Sequence, residues 1–134
     1  MFYVLDTNII IRYLRNEANI RQNFRNTVIQ KHNIIIPQVV DYEMRRGFLI
    51  LTAPKKEANY NLLLQECVIA EMDLISWKYA AQVYKILHRK GFTVGELDIL
   101  IGAFCIVYGY TLVTNNTNDF INMDGLKLTD WKQS

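Results

Sequence analysis

The sequence predicts an α/β domain with a mainly parallel central sheet flanked by helices. Two observations carry that expectation. Short apolar runs of strand length alternate with longer segments whose apolar residues recur at helical spacing, the pattern of parallel strands joined by crossovers and covered on both faces. The composition also shows no break: about half of the 134 residues are apolar, the charges are mixed, and no Ser/Gly/Pro-rich stretch marks a linker. Residues 1–134 are therefore expected to form one domain, a length that typically buries roughly two-thirds of the unfolded chain's surface.

The elements are expected in the following order. Phe2 to Leu5 is a short strand, and TNIIIRYLR changes at once to helical spacing, which leaves Asp6 at the strand's end. A helix through IRQNFRNTVIQKH leads to a second strand, Ile34 to Ile36, stopped by Pro37, a residue suited to a helix N-terminus. QVVDYEMRRGFLIL is the next helix and carries Glu43. A helix across KKEANYNLLLQEC is followed by a strand near Met72 to Ile75. The hydroxyl of Ser76 then caps WKYAAQVYKILHRK, which Gly91 terminates. A further helix begins near Gly95 or Glu96, with Asp98 in its first turn, where the helix dipole favours negative charge. Tyr110 to Thr114 is a strand, NNTNDF a turn or short helix, and LKLTDW holds a last short strand.

Several functional classes are excluded at this level. The apolar run Ile99 to Val113 is shorter than the roughly 20 residues a membrane span requires, so no membrane association is expected. The opening MFYVLDTN lacks a basic lead and an apolar signal segment, which points to the cytoplasm. Cys67 and Cys105 lie in apolar surroundings and read as core residues, while His32 and His88 share no ligand spacing with them, so neither a disulfide nor a zinc site is expected. Neither GxGxxG nor GxxxxGK[ST] occurs. Phosphoryl transfer through an aspartyl intermediate is disfavoured because Asn8 stands where a second acid would follow Asp6. The net charge of +2 does not by itself specify a nucleic-acid partner. Arg12, Arg15, Arg21, Arg25, Arg45, Arg46, Lys85, Arg89 and Lys90 are equally compatible with local basic patches and with solvated helix faces.

Ligands of open parallel sheets gather beyond the carboxyl ends of the strands. Asp6, Asn116 and Asp119 follow strand ends, and Glu43 and Asp98 lie on helices leaving them, so all five can reach one rim. Each acid also has a simpler role. Asp6 can cap the helix at Thr7, Glu43 can be a surface residue beside Arg45 and Arg46, and Asp98 can complement a helix dipole. Clustered, they would suit a hard cation: magnesium takes one or two carboxylates directly and keeps several waters, and a cation at a phosphodiester both polarises the phosphate and lowers the pKa of an attacking water.

The segments LDTN at Asp6 to Asn8, VDYEMRRG around Glu43, VGELDILIGAFC around Asp98 and the ending TNNTNDF…GLKLTDW resemble, in order and spacing, the PIN-domain family, and within it the VapC-type toxins, over essentially the whole chain. That resemblance implies a PIN-like three-layer sandwich and an endoribonuclease that binds Mg²⁺ or Mn²⁺. It also implies products with 5′-phosphate and 3′-hydroxyl ends, a VapB-type antitoxin as partner and a homodimer. Asp6, Glu43 and Asp98 match the three principal acids. The fourth acid of many members is replaced here by Asn116, with Asp119 as a substitute one turn on. Thr7, Asn8, Thr114 and Asn116 are expected to support the site through hydrogen bonds to metal-bound water or phosphate. The TNN…F ending is similar to that of toxins that cut initiator tRNA, which makes tRNA the expected RNA. The competing reading is a PIN-like RNA- or protein-binding module that has lost catalysis, with Asn116 as its sign. For the homodimer, the apolar segments IIIRYL and FLIL are the expected contact surface, unless both enter the monomer core.

Overall fold

The computed structural model describes residues 1–132. Its elements are β1 (Phe2–Leu5), α1 (Thr7–Leu14), α2 (Ala18–Ile29), β2 (Asn33–Pro37), α3 (Gln38–Leu51), α4 (Pro54–Leu64), β3 (Val68–Ala70), α5 (Leu74–Arg89), α6 (Glu96–Tyr108), β4 (Thr111–Val113), α7 (Thr117–Phe120) and β5 (Lys127–Thr129). The strands form one sheet in the order β3-β2-β1-β4-β5, with every neighbouring pair parallel.

Val4 pairs with Ile35 on one side and Leu112 on the other, and Leu5 pairs with Val113. The central strands carry Val4, Leu5, Ile34, Ile36, Leu112 and Val113, all at most 1% exposed, because helices cover the sheet on both faces. From β1 the chain steps outward twice, to β2 and β3, through α1 to α4. It then crosses back past β1 to β4 through α5 and α6. Right-handed crossovers place those two helix groups on opposite faces, consistent with α1 packing on α2, α3 and α4 while α5 packs on α6. The direction of winding therefore reverses between β1 and β4, and a crevice opens there at the carboxyl edge.

Three elements differ from the sequence expectation. The third strand is Val68–Ala70, paired with Ile35–Pro37, rather than Met72 to Ile75. Helix α5 begins at Leu74 rather than after Ser76, because the Asp73 carboxylate accepts from the Ser76 backbone N at 2.9 Å and caps the helix three residues earlier. Leu74 and Ile75 are consumed in the first helical turn, and Ser76 is fully buried inside it. Helix α4 begins with Pro54 in its first turn and ends at Leu64, short of the expected Cys67.

The two segments expected at a dimer contact behave differently. In IIIRYL, Ile9, Ile10 and Leu14 enter the core. In FLIL only Phe48 does, leaving Leu49, Ile50 and Leu51 at 83, 76 and 78% exposure. Both cysteines are free. Cys105 is fully buried, and burial pushes the Cys67 thiol up to about 12, so it is protonated and unreactive near neutral pH. Among the described residues no helix is long and apolar enough to cross a membrane.

Candidate active site

Asp6 is the single residue between β1 and α1, and its backbone N donates to Val113 O of β4 at 3.0 Å, which seats it in the crevice where the winding reverses. Its carboxylate does two jobs. Oδ1 accepts from the Thr7 backbone N at 2.8 Å and so caps α1. Oδ2 accepts from Thr114 Oγ1 at 2.9 Å and Asn8 Nδ2 at 3.0 Å. Asp6 is 5% exposed. Burial pushes its carboxyl above the ordinary 3.8, against the pull of the bonds from Thr114 and Thr7, while the neighbouring Glu43 charge pushes it further up.

Thr7, the first residue of α1, reaches across to α3, where its Oγ1 donates to Glu43 Oε1 at 2.8 Å. Glu43 thus faces the crevice on one side. On the other it meets only Arg46, at 3.9 Å, one turn along the same helix. Asp98 enters from the opposite helix group, in the first turn of α6. Burial first, then the like charges of Asp6, Asp119 and Glu43, push its carboxyl from 3.8 up to about 6, with no opposing influence.

Four carboxylates from both sides of the switch point therefore act on one another. Thr114, the residue after β4, is fully buried beneath them and accepts from Asn8 Nδ2 at 3.2 Å and the Asn116 backbone N at 3.0 Å while donating to Asp6. Asp119 stands on α7, which is indeed a helical turn, and its side chain is exposed. Asn116 enters only through its backbone: the residue is exposed, and no side-chain hydrogen bond caps α7. Gly102 of α6 gives the buried Met123 its space, since a Cβ there would overlap the thioether; this close approach holds the segment after α7 against α6.

Two residues beside the site are not among the expected site residues, Arg12 having entered only as one of nine basic residues weighed as patches or solvated faces. Asn115 and Arg12 extend the hydrogen bonds around Asn8 outward. The available signal was local: Asn8 and Arg12 are four apart on one helix face, and Asn115 opens a tandem asparagine pair directly after a strand.

The charge at Asp98 favours a cation, because three acids press on a half-buried fourth. Among the described residues no three Asp, Glu, His or Cys side chains gather closely enough to grip one ion alone. Magnesium does not require such a cage, since it takes one or two carboxylates and retains water. Asp6 and Asp98, backed by Glu43 and Asp119, fit that coordination habit.

Beside Thr7 and Glu43 an apolar groove of about 240 Å³ runs between α1, α3 and the start of α4, floored by Ile11, Leu14, Met44 and Phe48 and flanked by Arg15 and Lys56.

A doubly wound parallel sheet with an acidic crevice at its switch point defines the class: an α/β domain whose candidate site lies at the carboxyl edge of the sheet. The model of the PIN domain matches residues 3–126, and the chain belongs to the PIN-domain family. Its relatives include the tRNA(fMet)-specific endonuclease VapC of Shigella flexneri, 30% identical over 135 residues that cover 96% of this chain and 97% of that protein. Ribonuclease VapC2 of Rickettsia felis is 28% identical over 136 residues, 98% of each chain. Among solved structures, VapBC2 from Rickettsia felis bound to a promoter DNA fragment superposes with a TM-score of 0.91 at 25% identity, covering 98% of this chain and 99% of that one. DNA-bound VapBC from Salmonella typhimurium gives 0.87 at 25% identity, covering 98% of each.

Proposed function

We propose that this chain is the endoribonuclease toxin of a VapBC-type pair, acting in the cytoplasm on RNA, with a tRNA as substrate. The observation that carries the reading is the convergence of Asp6, Glu43, Asp98 and Asp119 on the crevice between β1 and β4, with the Asp98 carboxyl driven up to about 6 by burial and then by the charges of the other three. Asp6 and Asp98 are the residues to hold Mg²⁺ or Mn²⁺, with Asp119 as an outlying acid. The ion supplies polarisation of the scissile phosphate and a lowered pKa for water. Glu43, fixed by Thr7, orients the attacking water and takes its proton. Thr114 and Asn8 hold Oδ2 of Asp6 in a single orientation. The Shigella relative's name supports tRNA, and the VapBC complexes among the neighbours support a VapB-type antitoxin. The apolar groove beside Glu43 suits an amphipathic segment of such a protein.

The test is cleavage of an RNA panel that includes tRNA by purified protein. The expected result is endonucleolytic products with 5′-phosphate and 3′-hydroxyl ends, formed with Mg²⁺, abolished by EDTA, and abolished in Asp6→Asn although that variant still folds. Cleavage that survives EDTA or Asp6→Asn would overturn the assignment of metal and site. A folded wild-type protein that binds RNA without cutting it would favour the inactive binding module for which Asn116 speaks.

A further inference from the structure

The hydrogen bonds that hold Asp6 continue outward for two more residues. Asn8 gives its Nδ2 to Asp6 and Thr114, so its Oδ1 must face away from the acids and needs donors there. Asn115 supplies them, from its backbone N at 3.3 Å and, once its amide is turned so that its nitrogen faces Asn8, from its side chain at 2.6 Å. The opposite end of the Asn115 amide, Oδ1, accepts from Arg12 Nη2 at 2.8 Å and Nε at 2.9 Å. This is the one orientation of the amide in which donor meets acceptor on both sides. The remaining arm of the guanidinium, Nη1, lies 2.9 Å from Glu17 Oε1. Asn16, at φ 62°, turns the chain after α1 so that the Glu17 backbone N bonds Arg12 O and its carboxylate returns to the Arg12 side chain. Arg12 thereby spends its charge on Glu17 and its planar fork on Asn115.

An asparagine amide is free to turn over, and Asn8 turned over would point an oxygen at the Asp6 carboxylate. Its orientation is held on one side by that carboxylate and on the other by what its Oδ1 receives. We propose that Arg12 and Asn115 are positioning residues that lock the Asn8 amide, and through it Oδ2 of Asp6, in the orientation that receives the metal ion. The same bonds brace the turn between β4 and α7, which carries Asp119, against α1. This inference rests on the reading of Asp6 as a metal ligand.

Wild type, Arg12→Lys, Asn115→Ala, Asn115→Asp and the double variant Arg12→Lys/Asn115→Ala are compared by calorimetric Mg²⁺ titration and by melting temperature in EDTA. Removing a partner that orients a ligand costs about 10-fold or more in metal affinity, and that loss is expected for Arg12→Lys and Asn115→Ala. The double variant should bind no more weakly than Asn115→Ala, since Arg12 acts through Asn115. Asn115→Asp separates positioning from bracing. It keeps an acceptor for Arg12 but presents an oxygen to Asn8 Oδ1, so Mg²⁺ affinity should fall by more than its EDTA melting temperature accounts for, although a negative charge has been added. Affinity equal to or tighter than wild type in Asn115→Asp, additive losses in the double variant, or losses that merely track the EDTA melting temperature would overturn the proposal. If wild type itself binds no Mg²⁺, the metal reading fails and takes this inference with it; normal binding in wild type and in every variant rejects the inference alone.

Discussion

Replacing Thr114 by Val tests how the buried carboxylate of Asp6 is kept ionised. The substitution preserves shape and exchanges one hydroxyl for a methyl in a fully buried position. It removes the 2.9 Å bond to Asp6 Oδ2, a charge-assisted bond worth about 1.5–3 kcal/mol. Asn8 Nδ2 still has Asp6, and the backbone N of the exposed Asn116 can turn to water, so neither adds a large penalty. Burying the methyl returns about 0.8 kcal/mol. The net is a loss of about 1–2 kcal/mol in metal-free protein at a pH where Asp6 is charged, a fall of several degrees in melting temperature for a domain of this size. The Thr114 bond is also the largest influence lowering the Asp6 pKa, so its removal raises a value already above 3.8. The protonated acid does not need the bond as strongly, and the penalty must shrink toward acid pH. Thermal unfolding of both proteins in EDTA at pH 8 and pH 5 measures this. An equal difference at the two pH values, or none at either, would refute the argument.

Other expectations follow from the same geometry. A folded-state Asp98 pKa of about 6 against 3.8 unfolded means that the native state binds this proton more tightly, so this carboxyl's contribution to metal-free stability falls as pH rises from about 4 through 6, whereas Mg²⁺ affinity falls as pH drops below about 6. Melting curves in EDTA across that interval should slope less steeply in Asp98→Asn; an identical slope rejects the assignment. Asp119→Asn should weaken Mg²⁺ affinity more than Asn116→Ala and less than Asp6→Asn, because the charge of Asp119 reaches Asp98 while Asn116 enters the site through its backbone; calorimetry on the three variants orders them, and an Asp119→Asn protein that binds as wild type leaves the site to Asp6, Glu43 and Asp98. Exposure of Leu49, Ile50 and Leu51, with Leu74, Ile75 and Trp77 at the start of α5, leads us to expect a homodimer. Light scattering that stays at the 15.7 kDa monomer mass over a wide concentration range would reject it.

The site was legible in the sequence where an acid coincided with a change of periodicity. Asp6 closes a strand and Asp119 sits a helical turn beyond the tandem asparagines that follow one, so strand ends bring those two together; Asp98 opens a helix that follows α5 rather than a strand, and its place in the crevice comes from the fold. The third strand was not legible because VIA and MDLI are both short apolar runs. What separates them is the pairing of Val68–Ala70 with β2 and the Asp73 cap, one remote and the other ambiguous beside an equally competent Ser76. Arg12 and Asn115 were missed for a related reason. An arginine on a helix and an asparagine in a turn are ordinary surface residues until the fold sets them side by side, and their bond joins segments that no periodicity connects.

The β1–β4 crevice also has a meaning for the order in which the protein is made. Asp6 is made 108 positions before Thr114, yet Thr114 supplies its buried bond, and β4 supplies the wall of the crevice. A nascent chain holding Asp6, Glu43 and Asp98 can pair β1 with β2 and β2 with β3, yet has nothing on the other side of β1 to close the cradle. The cradle for Asp6 can thus close only once β4 exists, and a chain stopped before it carries three of the acids without the wall and the buried hydroxyl that seat the first.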